Sequence, residues 1–203
     1  MSFEDNDYTS INVVPVVDLT DRLRTDRLNT LLEKYSAHFG GQSAQFVVRV
    51  PGRVNLIGEH IDYCGYSVFP MALRQDILMA VGAATDEQND SSGPRLRLAN
   101  TQSTYPEVAI KEEELDVFPK SVSWFHYFLC GYKGVVEKYC SSVVGEDGEE
   151  SSSSRTVSKP PPFNVMVDGS IPPGSGLSSS SAMVVASALS TLIAYYNSLC
   201  KRV

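Results

Sequence analysis

An α+β domain is the fold class this sequence predicts, and three observations predict it. Apolar residues make up 42% of the 203 and charged residues 20%, which suits a packed core and argues against wholesale disorder. Short β-branched runs and runs with helical period follow one another without the regular strand–helix–strand rhythm of a doubly wound sheet. The longest apolar run, Ala182 to Tyr196, is entered from a loop of glycine, proline and serine.

Residues 1–24 show no clear period and are expected to form a loosely held arm, with one domain over 25–203. From Thr25, a plausible N-cap, Leu28, Leu31, Leu32, Tyr35 and Phe39 recur at helical spacing until Gly40-Gly41 ends the pattern. "QFVVRV" (Gln45 to Val50) reads as a strand closed by Pro51. "DILMAVG" (Asp76 to Gly82) and "RLRLAN" (Arg95 to Asn100) read as further strands around a polar loop, "TDEQNDSSGP". "SWFHYFLCGYKGVVEKYC" places Trp124, Tyr127, Phe128, Gly131, Val135 and Tyr139 on one side of a helix. Residues 145–162 are acidic, then serine-rich, then proline-rich, and are expected to be a disordered surface insertion. "FNVMVDG" (Phe163 to Gly169) alternates as a strand. Ala182 to Tyr196 is short of the ~20 residues a bilayer requires, so it is expected to be a buried core helix.

Several function classes are disfavoured at this level. A formal charge of −7 argues against nucleic acid or an anionic membrane as partner, though a small anion held by backbone amides is compatible with it. The four cysteines, Cys64, Cys130, Cys140 and Cys200, form no CxxC pair, so neither a zinc ribbon nor a disulfide framework is expected. No basic and apolar leader opens the chain, which predicts a cytoplasmic protein with reduced thiols.

Two stretches carry chemistry. In "IPPGSGLSSSSAMVVASAL" (Ile171 to Leu189), free amides at a helix start form an anion site, and Gly174 and Gly176 let the backbone turn tightly and approach a phosphate. Ser178 to Ser181 add hydroxyls for phosphate oxygens or a magnesium ion. The Walker pattern is absent, and simple helix capping is the plainer alternative. In "PGRVNLIGEHIDYCGYSVFPMAL" (Pro51 to Leu73), Arg53, Glu59, His60 and Asp62 lie close together among turn formers. A guanidinium fork and acceptor carboxylates can hold sugar hydroxyls or phosphate oxygens. A solvated turn with a surface ion pair is the plainer alternative there.

Together the two stretches resemble the GHMP kinases and, within them, the galactokinase branch. "HIDYCGYSV", "WFHYFLCG" and "VDGSIPPGSGLSSSSA" are most similar to the N-acetylgalactosamine kinase subgroup. The resemblance runs from about Leu28 to the last residue, apart from the acidic-serine stretch. It implies the N-terminal GHMP kinase domain, a mixed sheet with helices of the ribosomal protein S5 domain 2-like type. It implies transfer of the γ-phosphoryl of ATP to the anomeric hydroxyl of galactose or N-acetylgalactosamine, with Mg2+, by a protein that is monomeric when full length. Arg53 matches the arginine beside the transferring phosphoryl, and Glu59, His60 and Asp62 match residues that bind sugar hydroxyls. Gly174, Gly176, Ser178, Ser179 and Ser180 match the phosphate loop, with Ser180 at the magnesium-ligating serine and Trp124 at a tryptophan near the adenine. His126 stands where relatives often carry Asn and is left out of the site.

The resemblance also implies a catalytic aspartate in a "GGMDQ"-like segment after the phosphate-loop helix. No such segment occurs here, so the general base and the C-terminal domain are expected to be absent and the chain to be an N-terminal part, inactive alone. A non-catalytic ATP- and galactose-binding regulator or sensor fits the same residues.

Overall fold

The computed structural model describes residues 25–84, 93–115, 121–140 and 159–200. The expected N-terminal arm, and the expected insertion as far as residue 158, lie outside the described residues. Within them the fold is α+β, as expected. Helix α1 is Asp26–His38, α2 is Trp124–Tyr139 and α3 is Ser179–Cys200. The strands are β1 (Phe46–Ile57), β2 (Phe69–Ala83), β3 (Leu96–Asn100), β4 (Val108–Ile110) and β5 (Phe163–Gly169), in the sheet order β1-β2-β5-β3-β4. β5 runs parallel to β3 and antiparallel to β2, while the β1/β2 and β3/β4 pairs are antiparallel.

Both faces of the sheet are covered. Ile77, Met79 and Val81 of β2, with Leu96, Leu98, Val165 and Val167, face α2 and α3, where Phe128, Tyr132, Ala186 and Ala194 meet them. The alternate residues Leu78, Ala80, Ala99 and Met166 face α1, which supplies Leu28, Leu31, Tyr35 and Phe39. Burial on two faces is why β2 and β5 read as unbroken apolar runs rather than alternating ones.

Local chemistry sets the ends of α1. The Thr25 hydroxyl accepts from the Leu28 amide at 3.2 Å. At the other end Gly40 takes φ 66° and the Gly41 amide donates to Ser36 O at 2.8 Å, a left-handed helix stop.

Three expectations need correction. β1 continues through Pro51 to Ile57, because β1 lies at the sheet edge and Pro51 sits beside a register break, where a missing amide is tolerated. β2 begins at Phe69, seven residues ahead of the predicted strand, so much of the Pro51 to Leu73 stretch is an extended hairpin. α3 begins at Ser179 and is 22 residues long, enough by length and composition to cross a membrane. Packing, rather than length, makes it a core helix. A Cβ on Gly131 of α2 would lie 2.3 Å from Val184 O, so the two backbones touch. The hydroxyls that interrupt α3 are also satisfied: Ser187 donates to Phe128 O, Ser190 to Ala186 O and Thr191 to Ser187 O.

Candidate functional site

β1 and β2 fall out of register twice, once around Gly52 and once around Leu56. At the first break Pro51 pairs with Asp76 and Arg53 with Ala72, so Leu73, Arg74 and Gln75 stand opposite the single residue Gly52. Such breaks bend the strand and re-aim its side chains. Here the bend presses β1 against the loop that precedes α3. The Arg53 amide donates to Leu177 O at 3.2 Å, and a Cβ on Gly52 would stand only 2.9 Å from the same oxygen. The Arg53 guanidinium then reaches Ser178, with Nη2 at 3.0 Å and Nε at 3.3 Å from Oγ.

The serine loop itself is tightly coiled. Gly174, Gly176 and Ser178 take φ values of 68°, 74° and 63°. Glycine adopts this conformation freely, whereas at Ser178 it is strained, as is common at functional sites. Ser178 O accepts from the Ala182 amide at 2.9 Å, so Ser178 is the last residue before the helix. Its hydroxyl faces Arg53 rather than the helix, which goes beyond simple capping. Gly174, Gly176 and Ser180 are exposed, and Ser178 and Ser179 are half-buried. The first-turn amides of α3 have no intrahelical acceptor and carry the positive end of the helix dipole. A cation and unpaired amides therefore converge on one surface.

Glu59, His60 and Asp62 sit on the connection from β1 to β2. Gly58 takes φ 96° and a Cβ there would lie 2.8 Å from Val68 Cγ1, so the chain doubles back through glycine. Glu59 Oε1 and His60 Nε2 are 3.8 Å apart, both side chains are exposed, and His60 has a left-handed φ of 58°. Asp62 opens the short 3-10 turn Asp62–Cys64. Among the described residues no cluster of three or more His, Cys, Asp or Glu could cage a metal. The Ser180 hydroxyl, exposed in the first turn of α3, is instead a single oxygen that could join a magnesium ion keeping most of its other ligands.

Arg53 and Ser178 each fall within a segment that matches a known protein family. The galactokinase galactose-binding signature matches residues 33–83, and the GHMP kinases N-terminal domain matches 140–201. The galactokinase of Dictyostelium discoideum is 34% identical over 176 residues, 85% of this chain and 31% of that protein. That of Candida maltosa is 33% identical over 169 residues, 82% of this chain and 69% of that protein. The chain belongs to the galactokinase family. It spans about a third of the length of the Dictyostelium and Saccharomyces cerevisiae galactokinases. In fold it is similar to Methanococcus jannaschii mevalonate kinase, with a TM-score of 0.54 at 18% identity over 75% of this chain and 40% of that one. It is similar also to Lactococcus lactis galactokinase in complex with galactose, with a TM-score of 0.54 at 24% identity over 79% and 35%.

Trp124 opens α2, in its first turn. Its ring packs edge-on against Tyr105 and Phe125, and its indole Nε1–H is buried without a partner. His126 Nδ1 accepts from the Ser123 amide at 2.7 Å, a helix-capping contact.

Sequence reasoning missed the ionic support behind the site. Asp76 is 3% exposed and accepts from the side chains of Arg27 and Arg49. Arg27 also donates to Asp168, which accepts from Thr101. Burial pushes the Asp76 carboxyl up, but the hydrogen bonds from Arg27 and Arg49 outweigh it and hold the group below the usual carboxylate range. The same residue clamps the end of β5: Ser170 N donates to Asp76 O at 2.9 Å, and the Asp76 amide donates to Ser170 Oγ at 3.0 Å. Asp76 thus ties the strand leading to Arg53 to the strand leading into the serine loop. A lone carboxylate opening the apolar run "DILMAVG" was the available signal.

Proposed function

We propose that this protein is a sugar kinase that uses ATP and Mg2+ to phosphorylate the anomeric hydroxyl of galactose or N-acetylgalactosamine. The observation that carries the reading is the Arg53 guanidinium held against Ser178 at the mouth of α3. Phosphoryl transfer depends on positioning and charge stabilisation, and a fixed cation beside open amides supplies both. In this reading the amides around Gly174, Gly176, Ser178 and Ser179 cradle the phosphates, and Ser180 holds the magnesium ion. Magnesium, when bound, neutralises charge on the phosphate oxygens. Arg53 faces the transferring phosphoryl and favours the ionised sugar hydroxyl. Glu59, His60 and Asp62 bind the remaining hydroxyls, and Trp124 borders the adenine. The exposure of Glu59 and His60 supports a loop that meets a ligand from solvent.

The compartment proposed is the cytoplasm, in keeping with the free thiols of Cys64, Cys130 and Cys140. Transfer also calls for a carboxylate at the attacking hydroxyl, and among the described residues the Arg53 and Ser178 side chains hydrogen-bond to each other and not to a carboxylate. General-base assistance typically contributes about 10²–10⁴-fold. The 203-residue chain is therefore expected to bind ATP while turning over at least about a hundredfold more slowly than a complete galactokinase. Sugar-1-phosphate formed from ATP, magnesium and either sugar measures this. Turnover within about tenfold of the complete enzyme would show that a carboxylate of this chain serves as base.

A further inference from the structure

Asn55 lies two residues beyond Arg53 on β1, and both atoms of its side-chain amide, Nδ2 and Oδ1, are buried without a hydrogen-bond partner. The residues that follow it, Leu56 and Ile57, are 55% and 72% exposed, so this amide is sheltered at a point where the strand is otherwise open. Arg53, Val54 and Asn55 pair in unbroken register with Ala72, Met71 and Pro70, between the two breaks. Strand alternation therefore projects Arg53 and Asn55 to the same side. That side is the one from which Arg53 reaches Ser178. A buried amide with neither donor nor acceptor satisfied destabilises the unliganded fold and calls for an explanation, of which a ligand that completes it is one.

We propose that Asn55 is a further sugar-binding residue whose amide holds hydroxyls of the sugar next to the reacting one; this rests on the sugar-kinase reading above. The chemistry of the orphaned pair selects the ligand group. Phosphate oxygens at neutral pH only accept, and would leave Oδ1 unpaired. An ammonium only donates, and would leave Nδ2 unpaired. Hydroxyls do both, and neighbouring hydroxyls on a ring can accept from Nδ2 and donate to Oδ1 together. Among the described residues the other fully orphaned amide, Asn164, is completely buried in β5, opposite Gly82, whose Cβ position is filled by the Tyr35 hydroxyl. It lies on the central strand of the sheet and not beside Arg53.

A structural amide and a ligand-binding amide respond to substitution in opposite ways, which makes the assignment testable. Galactose and Mg-ATP are titrated separately into the 203-residue chain and into its Asn55→Ala and Asn55→Asp variants, with melting temperature measured on each. Asn55→Asp keeps the shape and the Oδ1 acceptor but replaces the donor with a second, charged acceptor oxygen, so it remains informative if Asn55→Ala folds poorly. The expected result is galactose affinity weakened by about tenfold or more in both variants. Mg-ATP affinity stays within about twofold, and the melting temperature of Asn55→Ala is equal to or above that of the parent, because an unsatisfied buried group has been removed. Galactose affinity retained within about twofold in both variants overturns the proposal, whether or not stability falls. A parent chain that binds Mg-ATP but neither galactose nor N-acetylgalactosamine overturns the sugar-kinase reading, and this assignment with it.

Discussion

Asp76 shows how one buried side chain can serve both fold and site. It accepts from Arg27 of α1 and Arg49 of β1 while its backbone holds Ser170 at the end of β5. Its folded carboxyl titrates below the unfolded value of about 3.9, so its contribution is fully present above that value and is lost as pH falls through the lower folded value. Asp76→Asn is expected to destabilise the chain by about 2 kcal/mol at neutral pH, less than for a fully buried pair because both arginines keep some access to water. The gap in melting temperature between parent and variant should be constant above about pH 5 and shrink below pH 4. A gap independent of pH would mean that packing, not charge, is what the substitution removes. At Ser180 the expectation concerns ligand rather than fold. Ser180→Ala should weaken ATP binding with magnesium by about fivefold to tenfold and leave magnesium-free binding unchanged, while Ser121→Ala, exposed on a different loop, alters neither. Equal effects with and without magnesium, read by calorimetric titration, would remove Ser180 as the ligand.

At the level of elements, legibility depended on how local the determining contacts are. α1 could be read from Thr25 to Gly40-Gly41 because its cap, its apolar stripe and its stop lie within the segment. β1 could not be read past Pro51, since what permits the proline is an edge position and a register break with β2, both remote in sequence. β4 went unnoticed because three residues carry no period. The site divided in the same way. Both motifs stood out in the sequence, but their meeting through Arg53, Leu177 and Ser178 spans 125 residues, and nothing local announces it. The α2/α3 contact offers a direct test of packing at this scale. Gly131→Ala places a methyl group against Val184 O and the Ala188 amide, which are backbone atoms that cannot rotate away. The gain in helix propensity of about 1 kcal/mol is outweighed by overpacking of about 1–3 kcal/mol together with displacement of α3. Net destabilisation is expected in denaturant unfolding, whereas Gly134→Ala, with open space around its Cβ position, should be stabilising. Stabilisation by both substitutions would mean that the helices can part without loss.

Across the whole molecule, apolar surface is distributed unevenly. The two-faced core is well covered, yet Leu56, Ile57, Tyr63, Tyr66, Phe69 and Met71 all stand exposed on the outer half of the β1–β2 hairpin and its connection. Ile57 and Phe69 are register partners, so their side chains lie next to each other on the open hairpin. Exposed apolar patches of this kind mark a contact surface or drive association. The 203-residue chain in isolation is expected to self-associate through this hairpin at tens of micromolar and above, with a sedimentation coefficient that rises with concentration. Ile57→Lys combined with Phe69→Lys places two like charges on the patch and should return the chain to a monomer. The core does not use these side chains, so melting behaviour at low concentration should change little, and the Arg53–Ser178 contact lies on another part of the strand, so Mg-ATP affinity should persist. Sedimentation of the parent as a monomer across the range, or association of the double variant equal to that of the parent, would locate the adhesive surface elsewhere.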